Sequence, residues 1–202
     1  MYVPRHFSED DADRLARLIA ENGFGMLVTL ADRRPFASHI PFLYEKERKV
    51  LLGHVARANP QWRHFSGDTE VMVVFQGPHG YISPSWYRAP GVPTWNYAVA
   101  HIYGRARALE DPAEIRPIVE SLTGKYERHN ERPWVPAYDP RMLGAIVGVE
   151  VAVSEVQGKF KLSQNRPAAD RAAVIAQLEA SGSEGNLALA ALMKEKYEPP
   201  TH

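Results

Sequence analysis

The sequence contains no cysteine in its 202 residues. This absence excludes a disulfide framework, a thiolate zinc site, an iron–sulfur cluster and a cysteine nucleophile. An excess of charge of either sign is also missing, because 24 Lys and Arg balance 24 Asp and Glu. The chain therefore lacks the general electrostatic attraction that drives nonspecific binding to nucleic acid, although a local basic patch is compatible with this balance.

Long hydrophobic runs and the common catalytic motifs are absent as well. No apolar run approaches the roughly 20 residues of a membrane span, and the first residues are polar and acidic, unlike a signal peptide. We therefore expect a cytoplasmic protein that does not enter a membrane. The sequence has no phosphate-binding loop, dinucleotide fingerprint, zinc-protease motif or nucleophile elbow, and its eight histidines are not paired at metal-ligand spacing. We assign no metal site and no catalytic residue.

The order of hydrophobic and turn-forming residues predicts an α+β chain that is mainly β. A helix is predicted to begin near Ser8, at a capping-box-like start, and to end at Asn22-Gly23. About six strands follow, at residues 24–30, 36–44, 50–54, 71–75, 95–109 and 145–156, with 158–162 as a short partner of the last. A helix with Pro117 inside it starts at Asp111-Pro112, and two Ala-rich helices occupy Pro167 to Tyr197. The pattern favours a small antiparallel barrel with peripheral helices and a C-terminal helical pair.

The longest predicted strand, Trp95 to Leu109, has two unlike faces. Because successive side chains of a strand point to opposite sides, bulky residues such as Tyr97 and His101 share one face. Small residues, among them Ala98 and Gly104, share the other. We expect another element or a flat ligand to approach this small face closely.

The first candidate binding segment runs from Gly53 to Trp62. Arg57 stands just before Asn59-Pro60, the predicted start of a short helix. Free backbone N–H groups next to a guanidinium suit a phosphate or a carboxylate. The alternative is that Arg57 is a solvated turn residue and that Asn59 is only a helix cap.

Three further segments carry polar or aromatic groups at strand ends. Five aromatic residues between Tyr81 and Tyr97 suit stacking on a planar ring or a dimer interface, or else a rigid packed loop. Alternation places Lys161, Ser163 and Asn165 on one face, which suits a polar heterocycle or a charged strand edge. The fourth segment, Ser38-His39-Ile40-Pro41, holds a strand histidine that is either structural or part of a cleft.

Taken in order, these segments resemble the PaiB family, whose members are described as FMN-binding negative transcriptional regulators. The likeness extends from residue 1 to about 193. The matching blocks are residues 1–7, 38–41, 53–62, 77–87, 92–97, 145–148 and 158–166. The sequence departs from the family pattern at Gly80 and at Ala98-Val99-Ala100, and neither departure removes a polar group.

The resemblance implies an FMN-binding split β-barrel, residues 1–166, with a C-terminal helical extension, residues 167–202, packed on it. It also implies a homodimer with the flavin at the subunit interface. Arg57 and the N–H groups near Asn59 are expected to hold the 5′-phosphate, with Lys161 as a second cation. The other expected contacts are Ser38, His39 and His54 in the cleft, Gln164 and Asn165 at the pyrimidine edge of the ring, and Trp86, Trp95 and Tyr97 over the ring or in the interface.

The residues alone do not determine the role of the flavin. The resemblance implies repression of genes, with the flavin as a sensor whose redox state alters the dimer. The alternatives are a flavin-dependent oxidoreductase or flavin reductase, or a cleft that takes heme or another phosphate ester. Direct DNA binding has weak support, because the net charge is zero and no helix-turn-helix is recognisable.

Overall fold

Seven strands and five α-helices form the regular structure of the residues that the computed structural model describes, 1–65 and 69–197. The strands are β1 (Ser8–Glu9), β2 (Phe24–Ala31), β3 (Arg34–Glu45), β4 (Val50–Ala56), β5 (Glu70–Ile82), β6 (Thr94–Leu109) and β7 (Ile146–Lys161). The helices are α1 (Ala12–Glu21), α2 (Pro112–Glu127), α3 (Pro140–Gly144), α4 (Ala168–Ala180) and α5 (Glu184–Tyr197). Short 3₁₀ turns occupy Arg5–Phe7, Pro60–His64 and Pro84–Trp86.

The sheet has the strand order β1-β7-β4-β3-β2-β5-β6, and β7 also pairs with β6. The registers of β1–β7, β2–β3, β2–β5, β3–β4 and β4–β7 are all antiparallel. Short turns join β2, β3 and β4, which is why these three neighbours follow one another along the chain. The predicted class, α+β and mainly antiparallel β, is confirmed.

The start of the chain differs from the prediction. Ser8 and Glu9 do not open a helix; they form β1 and pair with Lys159 and Gly158 of β7. The helix begins at Ala12, because Asp11 Oδ1 accepts the N–H groups of Asp13 and Arg14 at 2.9 and 3.0 Å. The acidic cluster was therefore correctly predicted as a helix start, but the capping residue is Asp11 rather than Ser8.

Two strands are longer than predicted. β5 continues through the Gly- and Pro-containing stretch to Ile82, and β7 runs without a break from Ile146 to Lys161. A pattern of hydrophobic residues does not detect these extensions, because glycine, proline and polar residues interrupt it. With β1, the sheet of the described residues has seven strands where about six were predicted.

The chain forms two compact units. The terminal unit comprises Met1–Leu18, Gln76–Ala100 and the described part of Gln157–His202. The central unit comprises Ile19–Phe75, apart from residues 66–68, and His101–Val156. The boundary predicted between residues 166 and 167 stays a prediction.

The core of the central unit includes a layer between α2 and β4. Asp111 caps α2 by accepting the Ala113 N–H at 2.8 Å, and Pro117 lies inside the helix without ending it. One stripe of α2, including Ile115, Val119 and Leu122, packs with Val50 and Leu52 of β4. This layer fixes the strand that leads to Arg57.

The small face of β6 is buried, as expected. Ala98, Ala100 and Ile102 are fully buried. A Cβ atom placed on Gly104 would lie only 2.3 Å from the backbone oxygen of Ala152 in β7. The small residues therefore allow β7 to approach β6 closely, which confirms one of the two expectations for this face.

Candidate functional site

The end of β4 and the turn after it bring the first predicted group together in the central unit. Asn59 is the N-cap of the 3₁₀ turn, and its Oδ1 accepts the Gln61 N–H at 3.0 Å. Its Nδ2 donates to Ser38 Oγ of β3 at 2.9 Å. The amide of Asn59 thus ties the turn to the neighbouring strand, and both side chains are half-buried.

Arg57 is held in a fixed orientation by its own chain. Its Nε donates to the Gly144 carbonyl oxygen at 2.7 Å, and its Nη2 donates to that of Ile146 at 3.1 Å. Its Nη1 pairs with Glu110 Oε2 at 2.8 Å, on the solvent side. A guanidinium has five N–H groups, so about two of them are left for another acceptor. The side chain is 36% exposed, so a ligand can reach it.

Two histidines flank this group and have different surroundings. His54 lies on β4 three residues before Arg57 and is half-buried. Burial lowers the pKa of its imidazole, and its Nδ1 is buried without a hydrogen-bond partner in the described part of the chain. His39 lies exposed on β3, with its ring centroid 6.0 Å from that of Phe24.

Three polar residues support the group and were not predicted as site residues. Gln61 is completely buried, and its Nε2 donates to the Leu27 carbonyl oxygen at 2.9 Å and to Thr29 Oγ1 at 3.2 Å. Thr29 Oγ1 in turn lies 2.9 Å from His64 Nδ1. These contacts anchor the 3₁₀ turn to β2 and so position Asn59. In the sequence, only the position of Gln61 just after Asn59-Pro60 points to this role. Its burial depends on β2, which is distant in the sequence.

Next to this group, the outer face of β2 and β3 is apolar and exposed. The inner face carries buried residues such as Leu27 and Phe42. On the outer face Phe24 is 66% exposed and Leu30 is 56% exposed, and Met26 pairs there with His39. A sheet with apolar residues on both faces and one face uncovered is typical of a protein–protein interface.

The predicted group at the end of β7 lies in the terminal unit, where Lys161, Ser163 and Asn165 line one cavity and Gln164 does not. Lys161 donates to the Trp95 carbonyl oxygen at 2.6 Å and to Thr94 Oγ1. Asn165 is exposed and lines the same cavity as Lys161, of about 160 Å³. Gln164 turns back on its own backbone: its Oε1 accepts the Leu162 N–H at 2.7 Å, and its Nε2 donates to the Phe160 carbonyl oxygen.

The predicted aromatic residues do not form a single stack. Trp95 is 53% exposed, and its ring centroid lies 6.2 Å from that of Tyr81 in an edge-on arrangement. Tyr97 receives the Lys159 ammonium at 5.4 Å from its ring centroid. Trp86 ends the 3₁₀ turn Pro84–Trp86 and is half-buried.

The fold is one that flavin-containing proteins of known structure share. The FAD and heme binding protein from Mycobacterium smegmatis has a TM-score of 0.65 and 17% identity, over 82% of this chain and 78% of that chain. The flavocytochrome Anf3 from Azotobacter vinelandii has a TM-score of 0.66 and 14% identity, over 85% of this chain and 78% of that chain. At identities of 17% and 14%, the structural similarity establishes the fold alone.

The family is defined by sequence. Residues 1–155 match the family model described as "Putative FMN-binding domain", and the chain belongs to this family. It is 39% identical over 206 residues to the Bacillus subtilis protein named Protease synthase and sporulation protein PAI 2, over 98% of this chain and 99% of that protein. The resemblance to the PaiB family and the FMN cofactor that it implies are thereby confirmed.

The central-unit group fits a flavin mononucleotide. The structural observation is the Nδ1 atom of His54, which is buried and has no hydrogen-bond partner in the described residues. Arg57 adds a cation that backbone carbonyls orient, and its remaining N–H groups suit a phosphate. Ser38 and Asn59 add a hydroxyl and an amide on neighbouring elements.

No helix among residues 1–65 and 69–197 is long and apolar enough to cross a membrane.

Proposed function

We propose that the protein is a homodimeric FMN-binding regulator of the PaiB type, which represses transcription through the state of its flavin. The observation that carries the proposal is Arg57, whose guanidinium is fixed by two backbone carbonyls and keeps about two N–H groups for another acceptor. We place the 5′-phosphate at this guanidinium. Family membership supports FMN as the group that it anchors.

In this proposal each residue of the central-unit group has a specific role. Arg57 binds phosphate oxygens, and the Asn59–Ser38 hydrogen bond holds the turn that presents it. His54 is neutral because burial lowers its pKa, so its Nδ1 accepts or donates a hydrogen bond without bringing a charge. His39 offers a second imidazole from the exposed face of β3. Bound FMN supplies reversible one- or two-electron redox chemistry.

The terminal-unit residues have weaker support as flavin contacts. Gln164 is bound to its own backbone, and Lys161 and Asn165 line a cavity of the terminal unit of about 160 Å³. Trp86, Trp95 and Tyr97 stay in the proposal as residues that a second subunit brings to the ring.

The uncovered outer face of β2 and β3 supports the homodimer. Exposed Phe24 and Leu30 lie on the sheet that also carries His39 and Ser38. A second copy that covers this face would bury apolar side chains and exclude water near the flavin. We therefore place the two-fold axis beside this face.

Regulation through the flavin has better support than direct DNA recognition. The B. subtilis relative is named for protease synthesis and sporulation, which motivates a regulatory role. The C-terminal helical pair, however, is not a basic recognition face: Lys194 pairs with Glu179 at 2.5 Å, and Arg171 lies over the Tyr197 ring at 4.3 Å. We place the protein in the cytoplasm.

Flavin titration tests the proposal. Purified protein is titrated with FMN while flavin fluorescence and absorbance are followed, and wild type is compared with Arg57→Ala and Arg63→Ala. Arg63 is a matched control, because it lies exposed on the adjacent turn, stacked on Trp62 at 5.1 Å. We expect Arg57→Ala to raise the Kd for FMN at least tenfold and Arg63→Ala to leave it within about twofold. Equal affinity of wild type and Arg57→Ala would contradict the phosphate assignment.

Two assays separate the regulatory role from the alternatives. Gel shifts with promoter DNA at two salt concentrations are expected to show only weak, sequence-independent binding; tight, salt-sensitive and sequence-dependent binding would contradict the indirect mechanism. Turnover of NADH or NADPH with added FMN would favour a flavin reductase. A protein that binds heme or another phosphate ester but not FMN would contradict the cofactor assignment.

A further inference from the structure

A small cavity of the terminal unit has the features of a second ligand site. It has a volume of about 160 Å³ and is lined by the end of β7, the start of β6 and the segment before β6. Drug-sized and cofactor pockets measure about 300–1,000 Å³. The cavity is therefore too small for a flavin, but it admits a molecule of several non-hydrogen atoms.

One positive charge in this cavity is uncompensated. The Lys161 ammonium has only neutral acceptors, Thr94 Oγ1 and the Trp95 carbonyl oxygen, among the described residues. Burial lowers the pKa of Lys161, and the nearby Lys159 lowers it further. A half-buried ammonium without a carboxylate partner favours an anion beside it.

The second cation of the cavity is neutralised. Arg166 Nη2 lies 2.6 Å from Asp170 Oδ2, and its guanidinium lies 3.9 Å from the centroid of the Tyr87 ring. Its Nε is buried and has no partner in the described part of the chain. Arg166 therefore offers one N–H donor but no net charge. The cavity as a whole carries one positive charge, which matches a monoanion.

A buried acceptor in the cavity wall is unsatisfied. Asn96 is completely buried, its Nδ2 donates to Ser163 Oγ at 2.8 Å, and its Oδ1 has no partner among the described residues. Ser163, also buried, has a φ of 66°, a left-handed conformation that is costly for a residue other than glycine. An unpaired buried carbonyl oxygen costs stability unless a ligand supplies a donor.

We propose that this cavity binds a small hydroxycarboxylate. The carboxylate lies at the Lys161 ammonium and the Arg166 Nε–H, and the hydroxyl donates to Asn96 Oδ1. The exposed amide of Asn165 stands at the mouth of the cavity. The assignment does not depend on FMN binding.

Calorimetric titration of the full-length protein tests the assignment, with lactate, propionate and inorganic phosphate as probes. Propionate has the size of lactate but lacks its hydroxyl. We expect lactate to bind at least fivefold more tightly than propionate and more tightly than phosphate. Equal affinities for lactate and propionate, or tighter binding of phosphate, would overturn the hydroxycarboxylate assignment.

Variants locate the binding. Lys161→Met is expected to raise the Kd for lactate at least tenfold, and Lys161→Arg, which keeps the charge, is expected to retain binding. Lys159→Met is the matched control: it lies on the same strand but bonds to the Tyr2 carbonyl oxygen and does not line the cavity. We expect it to change the Kd less than twofold. Equal losses in Lys159→Met and Lys161→Met would contradict the site.

Parallel FMN titrations separate this site from the flavin site. Lactate is expected not to displace FMN. Displacement of FMN by lactate, or weaker FMN binding in Lys161→Met, would assign the cavity to the flavin site instead. Failure of wild-type protein to bind FMN would contradict the proposed function and leave the lactate result standing.

Discussion

The Arg166 guanidinium and the Asp170 carboxylate form an ion pair at the start of α4, with Nη2 and Oδ2 2.6 Å apart and Asp170 only 1% exposed. Asp170 Oδ1 also accepts the backbone N–H groups of Arg88 and Ala89, at 2.8 and 3.3 Å. Burial acts to raise the pKa of this carboxyl, but the two N–H groups and Arg166 together lower it below its ordinary value. One carboxylate thus ties the segment before β6 to the C-terminal helices.

Asp170→Asn is expected to lower the urea midpoint of unfolding clearly, because the half-buried guanidinium of Arg166 loses its counter-charge. Glu179→Gln is the control, since Glu179 forms an exposed pair with Lys194 at 2.5 Å and exposed pairs contribute little. The comparison uses urea denaturation followed by circular dichroism. A similar midpoint in both variants would show that the Arg166–Asp170 pair does not stabilise this segment.

Gly104→Ala and Gly124→Ala are expected to change stability in opposite directions. A methyl group on Gly104 would lie 2.3 Å from the Ala152 backbone oxygen, so we expect a loss of about 2 kcal/mol or more. Gly124 lies exposed in α2 with nothing within 4 Å of a new Cβ, so alanine should add about 0.5–1 kcal/mol. Chemical denaturation measures both changes. A stabilising Gly104→Ala would mean that β6 and β7 are not packed as closely as described.

Glu110→Gln is expected to tighten FMN binding about two- to fivefold, because it removes the carboxylate that pairs with Arg57 Nη1 at 2.8 Å. The pair is exposed, so the gain should shrink at high salt. Fluorescence titration at two ionic strengths measures the effect. Glu114→Gln, whose carboxylate pairs with Arg107 instead, serves as control and should leave the Kd unchanged.

Phe24→Asp is expected to convert the proposed homodimer into monomers, because it places a charge on the exposed outer face of β2. We expect the dimer Kd to rise at least tenfold, as measured by sedimentation velocity across a concentration series. Val135→Asp introduces the same charge at an apolar residue that is 79% exposed and lies outside this face. Dissociation by Val135→Asp but not by Phe24→Asp would place the interface elsewhere.

Stability is expected to fall as the pH drops below 6.5, partly because of His54. Burial lowers the pKa of this imidazole from 6.5, so the unfolded chain binds the proton more readily than the folded one. The contribution of His54 is therefore complete above pH 6.5 and is lost as the pH falls towards the folded-state pKa. Burial lowers the pKa of His101 in the same direction.

Urea midpoints on both sides of pH 6.5 measure this dependence. His54→Gln should flatten the slope, whereas His39→Gln, which replaces an exposed imidazole on the neighbouring strand, should keep the slope of wild type. An unchanged slope in His54→Gln would show that protonation of His54 does not contribute to the pH dependence of stability.

Much of the fold could be predicted from local patterns. The alternation along Trp95–Leu109 correctly predicted a face of small residues that another strand approaches closely, and Asn59-Pro60 correctly marked the start of a short helix, which is a 3₁₀ helix. The extension of β5 to Ile82 and the pairing of Ser8 with Lys159 could not be predicted, because both depend on partners that are distant in the sequence.

The sequence identified residues of the candidate site but not their hydrogen-bond partners. The sequence indicates that Arg57 and Asn59 precede a turn, but not that carbonyls of Gly144 and Ile146, almost ninety positions later, orient the guanidinium. Gln164 suited a ring edge by its chemistry, yet its amide closes a local turn onto Leu162 and Phe160. Gln61 was missed because only tertiary packing buries it.

The uncovered strip around Phe24 and Leu30 also affects how the protein behaves in solution. A chain without a partner exposes these apolar side chains to water as soon as β2 and β3 have formed. Phe24 and Leu30 carry no charge that would oppose nonspecific association. Whatever covers this face should therefore set the highest concentration at which the protein stays dispersed, before any loss of secondary structure.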